Sequence, residues 1–188
     1  IWEEISPEEI RFFSDLEKDP LLATLLTVGF ADVVVTKLEQ KNWTTMAPDL
    51  LVPKSISKVN IQPITSANEV PSDRDSETIY IIPGMGFGTG HHPTTEMAIE
   101  FIFDLSSTPK SILDLGTGSG ILAIAAHRKF NLEIIGVDND PYAIENAEEN
   151  VRINNSNVAL SVATIAEIKE SFDIIIANLY AELLIELA

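Results

Sequence analysis

The chain has no cysteine among its 188 residues, which removes a thiol nucleophile, a zinc-thiolate site and an iron-sulfur cluster from consideration. Basic residues are scarce. Lys and Arg number 12 against 29 Asp and Glu, giving a net charge of −17. A nucleic-acid backbone or an anionic membrane surface needs a basic stripe to bind, so neither is expected as the principal partner. A basic protein or a cationic small molecule would be attracted, although much of such charge serves as a solvated, solubilising surface. Long hydrophobic runs are missing too. The longest, Leu21 to Val35, is interrupted by Thr24, Thr27, Gly29 and Asp32 and is too short and broken to span a bilayer. No signal peptide is visible, and the expected location is the cytoplasm. An initial methionine is also lacking, and the sequence stops at Ala188 inside an apolar helical pattern, so natural residues are expected beyond one or both ends.

What is present is enough apolar material for a core, 45% of residues against 22% charged. Ser6-Pro7-Glu8-Glu9 carries a capping serine, an early proline and an early glutamate, and predicts a helix burying Phe12, Phe13 and Leu16. A second helical pattern starts at Asp19-Pro20 with Leu21, Leu22, Leu25 and Leu26, and the valine-rich Ala31 to Leu38 predicts a strand. Residues 1–42 thus form a small α+β segment. Residues 43–78 hold Pro48, Pro53, Pro63 and Pro71, a polar run and short β-prone pieces such as Val59 to Ile64. They predict a linker with strands packed onto the domain that begins at residue 79.

From residue 79 onward the pattern alternates between strand and helix, as in parallel βαβ units. Strands are predicted at Ser111 to Leu115, Glu133 to Val137, Val158 to Val162 and Phe172 to Ala177, with crossover helices between them. Gly120 to Phe130 is one such helix. Another is capped by Asp140-Pro141 and places Ile144, Ala147 and Val151 on one face. An open, doubly wound parallel sheet binds its ligand beyond the carboxyl ends of its strands, which directs attention to the residues just after each one.

Asp114-Leu115-Gly116-Thr117-Gly118-Ser119-Gly120 leaves a strand and opens a helix, so its glycines allow a tight turn and close approach of a ligand to the backbone. Asp138 ends the next strand, roughly 20 residues on, a separation suited to a carboxylate holding the two ribose hydroxyls of a nucleoside. A dinucleotide-binding turn wants Gly or Ala at the position taken by Ile121. Asp114, just before the glycines, would oppose a pyrophosphate but favour a ligand bearing an ammonium and a sulfonium. That combination points to S-adenosylmethionine.

The residues Asp114 to Gly120, Val137-Asp138 and Asn178 after a strand resemble the class I S-adenosylmethionine-dependent methyltransferases, a Rossmann-like fold. Phe87-Gly88-Thr89-Gly90-His91-His92-Pro93-Thr94-Thr95 is similar to the F-G-T-G-x-H-P-T-T segment of the ribosomal protein L11 methyltransferase family. Ile174-Ile175-Ile176-Ala177-Asn178-Leu179 resembles that family's V-x-A-N-I-L segment. A weaker echo lies at Asn42-Trp43, where the family commonly has an acidic residue before the Trp.

This resemblance implies that Thr95, Gly116, Asp138 and Asn178 hold the cofactor, with Asp114 and Gly118 in the same turn, and that Asn178 sits beside the transferred methyl. Thr95 would begin a helix, and the loop Gly84 to Gly90 would fold over the ligand. His92 would orient that loop. His91 and His92 lack a third ligand at metal spacing, so no metal is expected. The implied activity is N-methylation of protein amines, at lysine side chains or an N-terminus, with ribosomal protein L11 or a similar basic protein as substrate. A small-molecule methyltransferase and a non-catalytic binding or scaffold protein are the alternatives. The family's recognition domain is ferredoxin-like, whereas residues 1–42 are short for one. Residues 79–188 would be the methyltransferase domain, incomplete at its C-terminus because three further strands are expected after Ala177.

Overall fold

A computed structural model describes the backbone of residues 2–6 and 9–12, together with residues 27, 52–84 and 92–180 in full. The chain divides into two compact units, Ile1–Lys41 and Asn42–Ala188.

In the first unit, β1 (Trp2–Ser6) pairs antiparallel with β2 (Glu9–Phe12). This corrects the helix expected from Ser6 onward. Ser-Pro-Glu-Glu also suits a turn, with proline at its second position. The residues after it alternate polar and apolar as Glu9, Ile10, Arg11, Phe12, a period of two that belongs to a strand. The register sets Trp2 opposite Phe12 and Glu3 opposite Arg11, with an irregularity between Glu4 and Ser6. Thr27 is helical. The helix expected over Leu21, Leu22, Leu25 and Leu26 and the strand expected at Ala31 to Leu38 otherwise lie outside the described residues.

The described residues of the second unit form two sheets. β3 (Lys54–Ile56) and β4 (Val59–Pro63) form an antiparallel hairpin, and β5 (Thr78–Ile81) runs parallel to β4. Val59, Ile61 and Pro63 are buried while Asn60 is exposed, the alternation of a sheet with one covered face. The larger sheet comprises β6 (Ile112–Leu115), β7 (Ile134–Asp138), β8 (Val158–Val162) and β9 (Ile174–Ala177), all parallel, in the order β8-β7-β6-β9. The direction of winding reverses between β6 and β9. In an open α/β sheet that reversal leaves a crevice at the carboxyl ends.

Among the described residues of this unit three helices accompany the sheets: α1 (Pro93–Asp104), α2 (Ile121–Phe130) and α3 (Pro141–Ile153). Every residue from Ile121 to Ala126 is buried. Small alanines and branched isoleucines around the whole circumference suit a helix enclosed on all sides. The main core accordingly joins Ile61, Ile79 and Ile81 of the small sheet, Ile99 and Ile102 of α1, α2, and Ile112 and Ile134 of the large sheet. On the opposite face of the large sheet, Leu113, Leu115 and Val137 pack with Ile165, Ile168 and Phe172. That covering segment corrects the expectation of a helix in every crossover. Between β8 and β9 the chain makes only a 3-10 turn, Ile165–Glu167, capped reciprocally by Thr164 and Glu167.

Both predicted helix starts in this region hold, at Gly120 and at Asp140. Asp140 caps α3 by accepting from Tyr142 N at 2.9 Å, with Pro141 in the first turn. The helix α3 and its C-cap also carry asparagine at every fourth position, Asn146, Asn150 and Asn154. Their amides bond the backbone of β5 and its continuation: Asn154 with Tyr80 N and O, Asn150 with Ile82 N and O, and Asn146 with Ile82 O. Side chains thereby satisfy backbone groups that a further strand would otherwise pair.

Among the described residues no helix is long and apolar enough to cross a membrane.

Candidate cofactor and active site

The turn between β6 and α2 is set by backbone geometry. Gly116, Gly118 and Gly120 have φ of 70°, 55° and 80°, the left-handed region that side-chain-bearing residues disfavour. Val137 O at the neighbouring strand accepts from Gly116 N at 2.8 Å and Thr117 N at 2.9 Å, so the turn is moored to β7 as it leaves β6. A Cβ on Gly116 would overlap Leu179 Cδ2, which shows how closely the residue after Asn178 covers the turn.

Because Gly120 is the N-cap of α2, the helix has no capping side chain at that position. Asp114 supplies the missing acceptor from inside the sheet. Its Oδ2 accepts from Ala123 N at 3.1 Å and from Thr117 Oγ1 at 2.7 Å, satisfying one of the orphan donors of the helix start. The residue is 1% exposed, and its Oδ1 is buried with no hydrogen-bond partner. Burial pushes the carboxyl up to about 6, against the bonds from Thr117 and Ala123 that favour ionisation, while the charge of Asp138 pushes the same way as burial. Asp114 therefore lies beneath the turn and organises it.

Asp138 sits at the tip of β7 and is partly exposed. Its Oδ2 accepts from Gly118 N at 2.9 Å and its Oδ1 from Asp140 N at 3.0 Å. These two bonds hold the carboxylate at the crevice and leave each oxygen with further accepting capacity for a diol. Thr95 and Asn178, 83 residues apart, also meet: Asn178 Nδ2 donates to Thr95 Oγ1 at 3.2 Å. Thr95 is fully buried in the first turn of α1, and Asn178 directly follows β9. No hydrogen bond among the described residues uses Asn178 Oδ1.

The predicted residues thus fall into two groups at one edge of the sheet. Asp114, Gly116, Gly118 and Asp138 surround the turn, Thr95 and Asn178 join α1 to the end of β9, and Leu179 over Gly116 bridges the groups. His92 caps α1, with Nδ1 accepting from Thr94 N at 3.3 Å. Gly84 is described, but residues 85–91, including His91, lie outside the described residues. Among the described residues no cluster of His, Asp and Glu is arranged to hold a metal ion.

Sequence reasoning does not single out Thr117 or Asn150. Thr117 stands inside the glycine motif, and its three-residue spacing from Asp114 is a signal for the bond between them. Asn150 donates to Ser119 O at 2.9 Å. Its signal is the four-residue repeat of asparagine, a weak helix former, along α3.

The residues suit a cationic nucleoside. Asp114 has one buried oxygen without a partner, so a ligand bringing positive charge to this turn offsets a cost already present. Asp138 offers acceptors for sugar hydroxyls, and the left-handed glycines allow close approach.

Residues 12–188 match the family described as Ribosomal protein L11 methyltransferase (PrmA). Ribosomal protein L11 methyltransferases of Bacillus cytotoxicus and Bacillus cereus are 34% and 35% identical over 163 residues, covering 85% of this chain and 52% of theirs. The chain therefore spans about half the length of these curated relatives. The crystal structure of a ribosomal protein L11 methylase from Lactobacillus delbrueckii subsp. bulgaricus superposes with a TM-score of 0.60 at 34% identity, covering 72% of this chain and 70% of that one. The architecture is the α/β fold with a parallel sheet expected for a class I methyltransferase, and the chain belongs to the ribosomal protein L11 methyltransferase family.

Proposed function

We propose that this chain is the cofactor-binding and catalytic region of an S-adenosylmethionine-dependent N-methyltransferase acting on protein amines, the lysine side chains or N-terminus of ribosomal protein L11 or a similar basic protein. The observation that carries this reading is the convergence of Gly116, Asp138 and the Thr95–Asn178 pair where the sheet reverses its winding. Family membership supports the substrate class, as does the charge of −17, which favours approach of a basic protein. Direct binding to nucleic acid or membrane is not part of the proposal, and the enzyme works in the cytoplasm, where a ribosomal protein is available. Residues 1–42 contribute to substrate recognition, 43–78 connect, and 79–188 form the methyltransferase domain.

The cofactor, when bound, supplies a methyl group activated on a sulfonium. Asp138 binds the ribose hydroxyls, the turn from Gly116 to Gly118 accommodates the amino-acid end, and Asp114 compensates its positive charge from below. Asn178, held by Thr95, directs its side-chain carbonyl to the attacking amine and aligns its lone pair. Excluding water beside Leu179 lowers the amine pKa and favours the neutral nucleophile. Alignment and desolvation by these residues would suffice without an oxyanion hole, because alkylation of an amine by a sulfonium would develop no oxyanion to stabilise.

The test is incubation of the full-length enzyme with methyl-labelled S-adenosylmethionine and purified ribosomal protein L11, followed by mass spectrometry of the protein. Label on lysine or the N-terminal amine is the expected result. No label on the protein, with label recovered only on small metabolites when a cell extract replaces it, would establish the small-molecule reading instead.

A further inference from the structure

Asn150 makes three side-chain hydrogen bonds, and the proposed chemistry leaves it without a role. It is completely buried and lies on α3, facing the N-terminal end of α2 where Gly120 packs against Ala147. Its Oδ1 accepts from Ile82 N at 2.8 Å, and its Nδ2 donates to Ile82 O at 3.2 Å and to Ser119 O at 2.9 Å. One amide therefore connects three backbone groups on two separate segments. Ser119 belongs to the glycine turn, and Ile82 lies two residues before Gly84, the start of the glycine-bearing stretch that leads to Thr95 in sequence.

The chemistry requires a carboxamide. One acceptor and two donors are needed in a single planar group of this length. Aspartate at this position would lose both donors and face two carbonyl oxygens, while serine is too short to reach all three partners. Asn154 provides an internal comparison. It is equally buried and makes equivalent bonds to Tyr80 N and O, but its remaining bond goes to Asn150 O within α3, and none reaches the glycine turn.

We propose that Asn150 is a positioning residue for cofactor binding, coupling the glycine turn at Ser119 to the exit of β5 at Ile82 so that the two segments order together. This rests on the assignment of the cofactor to the Gly116–Gly120 turn. Asn154 performs the purely structural half of the same task, holding β5 without touching the turn.

The test uses the full-length enzyme and S-adenosylmethionine. Asn150→Ser and Asn154→Ser are compared by thermal melting and by calorimetric titration. Similar losses of Tm are expected, with cofactor affinity falling about tenfold for Asn150→Ser and less than about twofold for Asn154→Ser, the scale of one buried hydrogen bond. Equal effects on affinity, or unchanged affinity in Asn150→Ser, overturn the proposal. Should Asn150→Ser not fold, hydrogen exchange on the wild-type enzyme decides. Cofactor is expected to slow exchange at residues 116–120 and also at the Ile82 amide. Protection confined to 116–120 contradicts the coupling while leaving the cofactor site intact, whereas absence of any heat or protection in the wild type removes the cofactor assignment and the coupling with it.

Discussion

Two neighbouring strands of the large sheet each deliver an aspartate toward the same crevice, and their surroundings differ sharply. Asp114 in β6 is buried, caps α2, bonds Thr117 and keeps one oxygen without a partner. Asp138 at the tip of β7 is partly exposed and holds two backbone amides at the rim. The first carboxylate builds the turn from within, and the second presents an accepting edge to whatever the turn admits. Position along the strand decides which: Asp114 lies one residue before the end of β6 and points into the α2 side, whereas Asp138 is the last residue of β7.

Substitutions that separate building from binding sharpen this contrast, and the largest effect is expected at Asp114. Replacing it with alanine removes the acceptor for Ala123 N and Thr117 Oγ1 and should lower unfolding stability by about 2–3 kcal/mol in chemical denaturation. The Asp138→Ala variant, whose two backbone bonds lie at the partly exposed rim, should cost less stability than Asp114→Ala and weaken S-adenosylmethionine binding by about 1–3 kcal/mol, the scale of lost charged hydrogen bonds. Affinity unaffected by that change would erase the contrast. Gly116→Ala combines a left-handed backbone with displacement of Leu179 and should cost about 1–2 kcal/mol of stability by the same denaturation measurement.

The smallest effect is on pH dependence. Folding raises the Asp114 carboxyl from 3.8 to about 6, so the native state binds the extra proton between about pH 4 and 6. Its contribution to stability falls as pH rises through that window and the penalty is fully present above it. A cationic cofactor favours the ionised form, and its affinity should therefore rise with pH across about 6. Titrations at pH 5 should be weaker than at pH 7 by at most about tenfold, the limit for one proton linked at this pKa. In Asp114→Asn that difference should vanish.

The α/β region was legible because its signals are local and repeated. Val158 to Val162 is a strand at its predicted limits, and the capping of α3 by Asp140 was written in the sequence. The crossover after β8 was not, since Ile165, Ile168 and Phe172 keep apolar spacing while forming no α-helix. At Ser6-Pro7-Glu8-Glu9 one signature served two purposes, and the period-two pattern of Glu9 to Phe12 prevailed. For the site, the family resemblance pointed to Thr95 and Asn178, but their mutual bond depends on how α1 meets β9. Asn150 escaped notice because its partners, Ile82 and Ser119, are backbone groups with no residue-type signature.

A crystal structure of the full-length protein with bound S-adenosylhomocysteine tests the central claim most directly. The account predicts both ribose hydroxyls on the Asp138 carboxylate and the amino-acid end at the turn from Gly116 to Gly118. Ligand bound away from the β6/β9 crevice, or a ribose that leaves Asp138 untouched, would contradict it.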